Sequence, residues 1–537
     1  MRTRVHHLLE EAAARHGARP ALTSGQVTRT YDEVWGDVRS VAAGLIDLGV
    51  VRGDRVAVFL DKRIETVVSM LASSLAEAAF VPVNPVFKPR QVAHVVRDSG
   101  SVVLVTTERR WATLAAELET SDLRHVVLID RAPTVVGADP VVGDVTLHPW
   151  ARLSDAHPGP GPSARPPDLD RAAILYTSGS TGSPKGVVLS HRNLVVGAES
   201  VTSYLGNTHD DVILSALPLS FDAGLSQVTT AMAVGAHVVL ANYLVARDLI
   251  ALCARHQVTG LTCVPPLWIQ LTDHTWPDEA TRSLRYFANT GGRMPATTLK
   301  RLRDTFAGAE PFLMYGLTEA FRSTYLDPAQ VDQRGDSIGK AIPNAEILVL
   351  RPDGTPCQPG EEGELVHRGA LVALGYWNDP ERSAQRFRPI PGTPDWQAQE
   401  LAVWSGDTVV ADEEGFLYFI GRTDEMIKTS GYRVSPTEIE EAAYETGLVR
   451  DAVALGIPEE GLGHRVVLVA AGQVGGDALD TAGLLKALRR ELPLYMVPAE
   501  VVVRDELPRS PNGKFDRVVL AAEVAREIAG RATGDAS

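Results

Sequence analysis

The chain has 537 residues, 45% hydrophobic and 22% charged, with a formal net charge of −15. That length exceeds one hydrophobic core and predicts two or more domains, while the acidic balance argues against a nucleic-acid partner, which needs a basic face. No run approaches the roughly 18 apolar residues of a membrane span, the N-terminus lacks a signal-peptide core, and Cys253, Cys263 and Cys357 read as buried thiols of a reducing, cytoplasmic compartment.

From residue 5 to 155, strand-like and helix-like segments alternate: a strand over 55–60, a helix over 63–79, a strand over 80–83, a helix over 90–98 and a strand over 102–105. Such repetition predicts parallel sheet with helices on its faces. Residues 156–167 hold too much proline and glycine for an element and read as a surface connection. Two apolar runs, 172–176 and 187–189, then flank Thr177-Ser178-Gly179-Ser180-Thr181-Gly182-Ser183-Pro184-Lys185-Gly186. Small residues let a backbone approach an anion, hydroxyls add donors, and Lys185 supplies a charge, so this loop reads as a cradle for polyphosphate. A flexible linker is the bland alternative, but linkers are rarely flanked by strands. The Walker spacing of a P-loop is absent.

Strands are expected again at 211–216, 238–240 and 260–264. Beyond residue 337 the runs shorten, as at 346–350 and 363–366, which predicts a small β-rich subdomain. A strand over 416–420 leads into Gly421-Arg422-Thr423-Asp424. After it a helix over 436–444, strands over 452–456 and 466–471, a helix over 481–491 and a strand over 500–504 form a compact α+β tail.

Five motifs now stand in order: the phosphate loop, Tyr315-Gly316-Leu317-Thr318-Glu319, Trp404-Ser405-Gly406-Asp407, Gly421-Arg422-Thr423-Asp424 and Pro511-Asn512-Gly513-Lys514-Phe515-Asp516-Arg517. Together they resemble the AMP-forming adenylate superfamily of acyl-CoA synthetases, nonribosomal peptide adenylation domains and beetle luciferases, over nearly the whole chain. Segments 217–227, 286–295 and 337–350 resemble, more narrowly, the AMP-dependent acyl ligases associated with exosortase gene sets. The resemblance implies an α/β fold: a large layered N-terminal domain over 1–421 with parallel sheets and the β-rich subdomain, a hinge at 422–424, and a small mobile α+β C-terminal domain over 425–537. It also implies two half-reactions with ATP and Mg²⁺. A carboxylate attacks the α-phosphorus and releases pyrophosphate, and a thiol of CoA or of a phosphopantetheinylated carrier protein then takes the acyl group.

Position within the motifs implies roles. Thr177, Ser178, Gly179, Ser180, Thr181, Gly182 and Lys185 hold phosphates; Thr318 contacts the α-phosphate. Glu319 helps hold Mg²⁺, a hard cation that suits a carboxylate, unless it is a solvated acid at a helix start. Gly291, Gly292, Arg293, Tyr315 and Gly316 fall in segments that wall the adenine, and Arg293 fits a surface role equally. Asp407, after a Ser-Gly turn, accepts the ribose hydroxyls, and Arg422 lies near ribose and phosphate. Relatives carry a basic residue inside the Asp407 motif that this chain lacks. Lys514, after an Asn-Gly turn, is the catalytic cation of the mobile domain, the bland alternative being a solvated turn lysine. Asp424 is the hinge, and Gly431 lines the pantetheine tunnel.

The substrate is read from two residues. Acyl-CoA synthetases usually carry Phe-His where this chain has Phe221-Asp222, whereas amino-acid adenylation domains carry Phe-Asp, whose carboxylate pairs the substrate ammonium. Asp222 reads alternatively as a helix N-cap. Arg322 suits a second substrate carboxylate or a structural ion pair. The combined expectation is an amino acid loaded on a carrier protein, and an amino diacid if both readings hold; the alternative is an acyl-CoA ligase acting on a fatty or small acid. An adenylate diverted to oxidation and a nucleotide-sensing scaffold are the other classes, and nothing marks an oxidative pocket.

Overall fold

The computed structural model describes the chain apart from residues 133–140, 160–166, 178–183, 397–398, 423–425, 460, 473–478, 509–514 and 535–537. Two nine-stranded sheets form its larger part. In one, Arg55–Val58 pairs in parallel with Ala79–Pro82 and with Val103–Thr106, as the strand–helix alternation predicts. In the other, Val212–Ser215, Gly260–Cys263, Tyr286–Asn289 and Glu310–Tyr315 run parallel side by side.

Helices fill the space between the sheets because their apolar stripes face both. Val38 and Leu45 of Tyr31–Asp47, Val68 of Ile64–Leu75 and Leu194 of His191–Leu205 share one buried cluster with strand residues Val56 and Val187 of the first sheet and Leu22 and Ala288 of the second. The local signals agree with this packing. Thr30 and Glu33 make a reciprocal cap at the start of Tyr31–Asp47, and Gly206, in left-handed conformation, ends His191–Leu205.

A third, five-stranded sheet spans 345–422 and is the β-rich subdomain expected beyond residue 337. Two details differ from the sequence reading. Ser405 and Gly406 lie inside the long strand Leu401–Ala411 rather than in a turn, because Gly406 at φ 66° lets the strand bulge against Glu362–Gly369. The strand Leu417–Arg422 also runs on through Gly421 and Arg422. Cys253 and Cys263 are buried thiols, but Cys357 is partly exposed, since it follows the surface turn at 353–355.

The fourth sheet, within 427–503, carries the helices Pro436–Glu445 and Thr481–Glu491 and forms its own core around Ile439, Leu468 and Leu484. A final helix, Arg517–Gly534, was not foreseen. This tail docks on the helix Pro89–Ser99: Gln91 donates to Glu438 at 2.8 Å, and Arg90 pairs with Glu445. Burial there pushes the Glu438 carboxyl up to about 7. Tyr432 stacks on Tyr495 at 3.7 Å and meets Phe221 edge-on at 5.2 Å, so an aromatic column ties the tail to the head of the helix Asp222–Val234. Among the described residues no helix is long and apolar enough to cross a membrane.

Candidate active site

Parallel strands deliver their C-terminal ends to one edge, where connections rather than pairing take over. At that edge lie Asp222, Val264, the 290–292 turn and the segment 316–322. The antiparallel hairpin of Arg171–Thr177 with Lys185–Ser190 sets Thr177 opposite Lys185. Residues Ser178, Gly179, Ser180, Thr181 and Gly182 lie outside the described residues, as do Asp424 and Lys514.

Lys185 reaches across to Glu319. Its Nζ lies 3.2 Å from Oε1 of Glu319 and donates to the Tyr376 hydroxyl at 2.7 Å, which donates to the same carboxylate at 2.7 Å. Glu319 sits in the single turn Thr318–Ala320 and is only 1% exposed, not a solvated helix-start acid. Burial alone would oppose its ionisation, yet the Lys185, Arg386 and Arg433 charges hold it well below the usual carboxylate range. The same burial pulls Lys185 down to about 8, against the pull of Glu319. Tyr376, Arg386 and Arg433 escaped sequence reading. Tyr376 lies on a two-residue strand beside Val187, a placement no local pattern signals.

A lysine poised near 8 has a kinetic consequence. Lys185 is mostly charged at pH 7, and its charge disappears as pH rises through about 8. kcat/KM for ATP, which reports free-enzyme groups, should fall above that value; a Lys185→Arg variant that retains activity should stay flat there, since guanidinium does not titrate in this range.

Asp407 is 3% exposed and accepts from the Tyr315 hydroxyl. The antiparallel register sets Arg422 opposite Asp407, so these two motifs meet as neighbouring strands. Gly291 adopts φ 75°, and a Cβ at Gly292 would lie 2.9 Å from the Pro265 ring. Arg293 is exposed and makes no ion pair among the described residues. Gly316 packs on the backbone of Arg322. Gly431, at φ 81°, turns the hairpin of Ile427–Thr429 and Tyr432–Val434 onto Val264; any Cβ there would come within 3.0 Å of that valine. Glycine is thus required both for conformation and for space.

Asp222 takes the first position of the helix Asp222–Val234, where its carboxylate meets the backbone N–H groups of Asp222 and Ala223. The N-cap position is Phe221, with no side-chain hydrogen bond. Thr318 Oγ1 donates to Asp222 Oδ1 at 3.3 Å, and no cation pairs with Asp222 among the described residues. Burial raises its carboxyl pKa, partly offset by the Arg322 charge and the Thr318 hydrogen bond. The following turns of this helix line a small pocket whose wall also includes Thr262, Tyr286 and Arg322. Lys62, also unforeseen, braces the strand end beneath this helix. Its Nζ, pulled down to about 7 by burial, donates to the carbonyls of Ser215 at 2.9 Å and Ala216 at 2.6 Å.

Comparison with known proteins agrees with this geometry. The AMP-binding enzyme family matches residues 9–377, and the AMP-binding enzyme C-terminal domain matches residues 438–514. An L-proline–[L-prolyl-carrier protein] ligase of Streptomyces coelicolor is 33% identical across 95% of both chains. o-Succinylbenzoate CoA synthetase of Bacillus subtilis is 26% identical, with a TM-score of 0.79 over 95% of this chain and 97% of that one. VinN, solved in complex with L-aspartate, is 28% identical, with a TM-score of 0.65 over 78% of this chain and 98% of that one. The chain belongs to the AMP-binding enzyme family and is an AMP-forming acid–thiol ligase.

Proposed function

We propose that the chain adenylates an amino acid with ATP and Mg²⁺ in the cytoplasm and passes it to the phosphopantetheine thiol of a carrier protein. The observation that carries this reading is Asp222, a half-buried carboxylate at the start of the helix that lines the pocket, with the Thr318 hydroxyl beside it and no cation within ion-pair distance among the described residues. A buried charge is costly without a partner, and a substrate ammonium supplies one. The carrier-protein ligase of S. coelicolor and the L-aspartate complex of VinN support an amino-acid substrate.

In this reading Lys185 and residues 177–182 hold the triphosphate, Thr318 contacts the α-phosphate, Asp407 accepts the ribose hydroxyls, and Gly291, Gly292 and Tyr315 wall the base. The substrate carboxylate attacks the α-phosphorus, pyrophosphate leaves, and an aminoacyl-AMP remains. Lys514, carried by the domain 425–537 about the hinge at 422–424, supplies a cation to the developing negative charge. The thiol sulfur then bonds to the acyl carbon, and AMP departs with the bridging oxygen. Gly431 leaves the thiol arm its path.

Among the described residues no cluster of three His, Cys, Asp or Glu could enclose a metal ion. Mg²⁺ held by phosphates and water needs only one or two carboxylates, which Glu319 satisfies; the ion would neutralise phosphate charge.

ATP–pyrophosphate exchange across amino acids and fatty acids tests the first half-reaction, and product mass after adding CoA or a phosphopantetheinylated peptidyl carrier tests the second. Strongest exchange with amino acids and transfer to the carrier support the reading. Strongest exchange with fatty acids and transfer to CoA would replace it with an acyl-CoA ligase.

A further inference from the structure

Arg322 is a charge in the wrong place for a structural residue. It is 2% exposed, yet no carboxylate lies within ion-pair distance among the described residues. Its Nη1 donates to Thr290 Oγ1 at 2.5 Å, and its buried Nε has no partner. A buried guanidinium without a close acid partner is costly, and the Asp222 charge it feels lies beyond ion-pair distance. The expected structural ion pair is not there.

The guanidinium forms part of the wall of the same pocket that the helix beginning at Asp222 lines with Ser226, Gln227 and Thr230. Arg322 thus puts a buried positive group in the wall, and Asp222, half-buried and close enough to feel that charge, opens the helix that lines it. Both are held from behind: Asp222 by the Thr318 hydroxyl and Arg322 by the Thr290 hydroxyl. Neither hydroxyl carries charge, and the two side chains offset one another only in part. A ligand that completes both must itself carry an ammonium and an anion, beyond the carboxylate spent on ATP.

We propose that the substrate is an amino dicarboxylic acid, its ammonium on Asp222 and its second, unreacted carboxylate on Arg322. The inference rests on the amino-acid reading above and narrows it. A carboxylate fits better than a phosphate or phosphonate dianion, because Arg322 is the one cation in the pocket wall and a guanidinium fork matches the two oxygens of a monoanion. Leu205, Ile213 and Met314 complete the wall and offer no second charge.

The test is ATP–pyrophosphate exchange by the wild-type enzyme with aspartate, glutamate and 2-aminoadipate, their side-chain amides, neutral amino acids of similar size, and the same dicarboxylates without the amine. One amino dicarboxylate should exceed its own amide by about 10²-fold or more in kcat/KM, since a site built for a polar group rejects analogues lacking it. Arg322→Gln should reverse that preference, and Arg322→Lys should keep it in weakened form. A neutral amino acid as best substrate would overturn the proposal while leaving the amino-acid reading intact. Equal exchange with the amine-free dicarboxylate would overturn both. The wild-type series decides even where a variant fails to fold.

Discussion

Replacing Glu319 with alanine should lower the adenylation rate by about 10²–10³-fold, the scale for losing one electrostatic element of a reacting site, here the carboxylate proposed to hold Mg²⁺. The same change should destabilise the fold by about 3–5 kcal/mol, because it strands Lys185 beside two arginine charges in a largely dry site. Activity and stability separate in a double variant. Lys185→Met with Glu319→Gln removes both charges and should recover much of the lost stability, measured by urea unfolding, while exchange activity stays low. The pH response has a definite sign. Folding holds Glu319 below its ordinary 4.5, so its contribution to stability is fully present above that pH and is lost as pH falls. Wild type should therefore lose more stability than Glu319→Gln between pH 7 and 4. Equal activity in Glu319→Ala and wild type would remove Glu319 from the chemistry.

Asp222→Ala should be nearly as severe, but only toward substrates with an ammonium. Truncating one side of a buried charge pair costs roughly 2–5 kcal/mol, or about 10²–10³-fold in kcat/KM for the amino acid at the middle of that range. The matching acid without its amine should lose far less, and its rate relative to the amino acid should rise. Thr318, which donates to Asp222, is expected to keep its own place, because its turn is fixed by backbone hydrogen bonds at 317–322 rather than by the aspartate. Loss of exchange with both acids alike would mean that Asp222 supports the fold and reads no ammonium.

Most of this architecture was legible because period and punctuation agree. The strand–helix alternation from 55 to 106 gave parallel sheet, and the short runs after 337 gave an antiparallel one, each with its own side-chain spacing. Misreadings fell where glycine permits two outcomes. Ser405-Gly406 has the composition of a turn, but pairing on both sides holds it in a bulged strand. Candidate site residues were legible where a motif keeps them on contiguous positions, as with Thr318 and Glu319. Tyr376, Arg433 and Lys62 were not, because each reaches its partner from a distant segment and carries no periodic or motif signal of its own. At Asp222 the cap position itself falls on Phe221, while the carboxylate still meets the first backbone N–H groups of the helix. Arg322 gained its meaning only when burial without an acid partner became visible.

In the proposed reaction a carboxylate oxygen of the substrate strikes the innermost phosphorus of ATP beside Thr318 and Glu319. Substrate labelled with oxygen-18 in both carboxylate oxygens tests it in one turnover followed by mass spectrometry of the nucleotide. AMP should carry a single oxygen-18, with unlabelled pyrophosphate. Formation of ADP with label in inorganic phosphate, or of AMP without label, would contradict it.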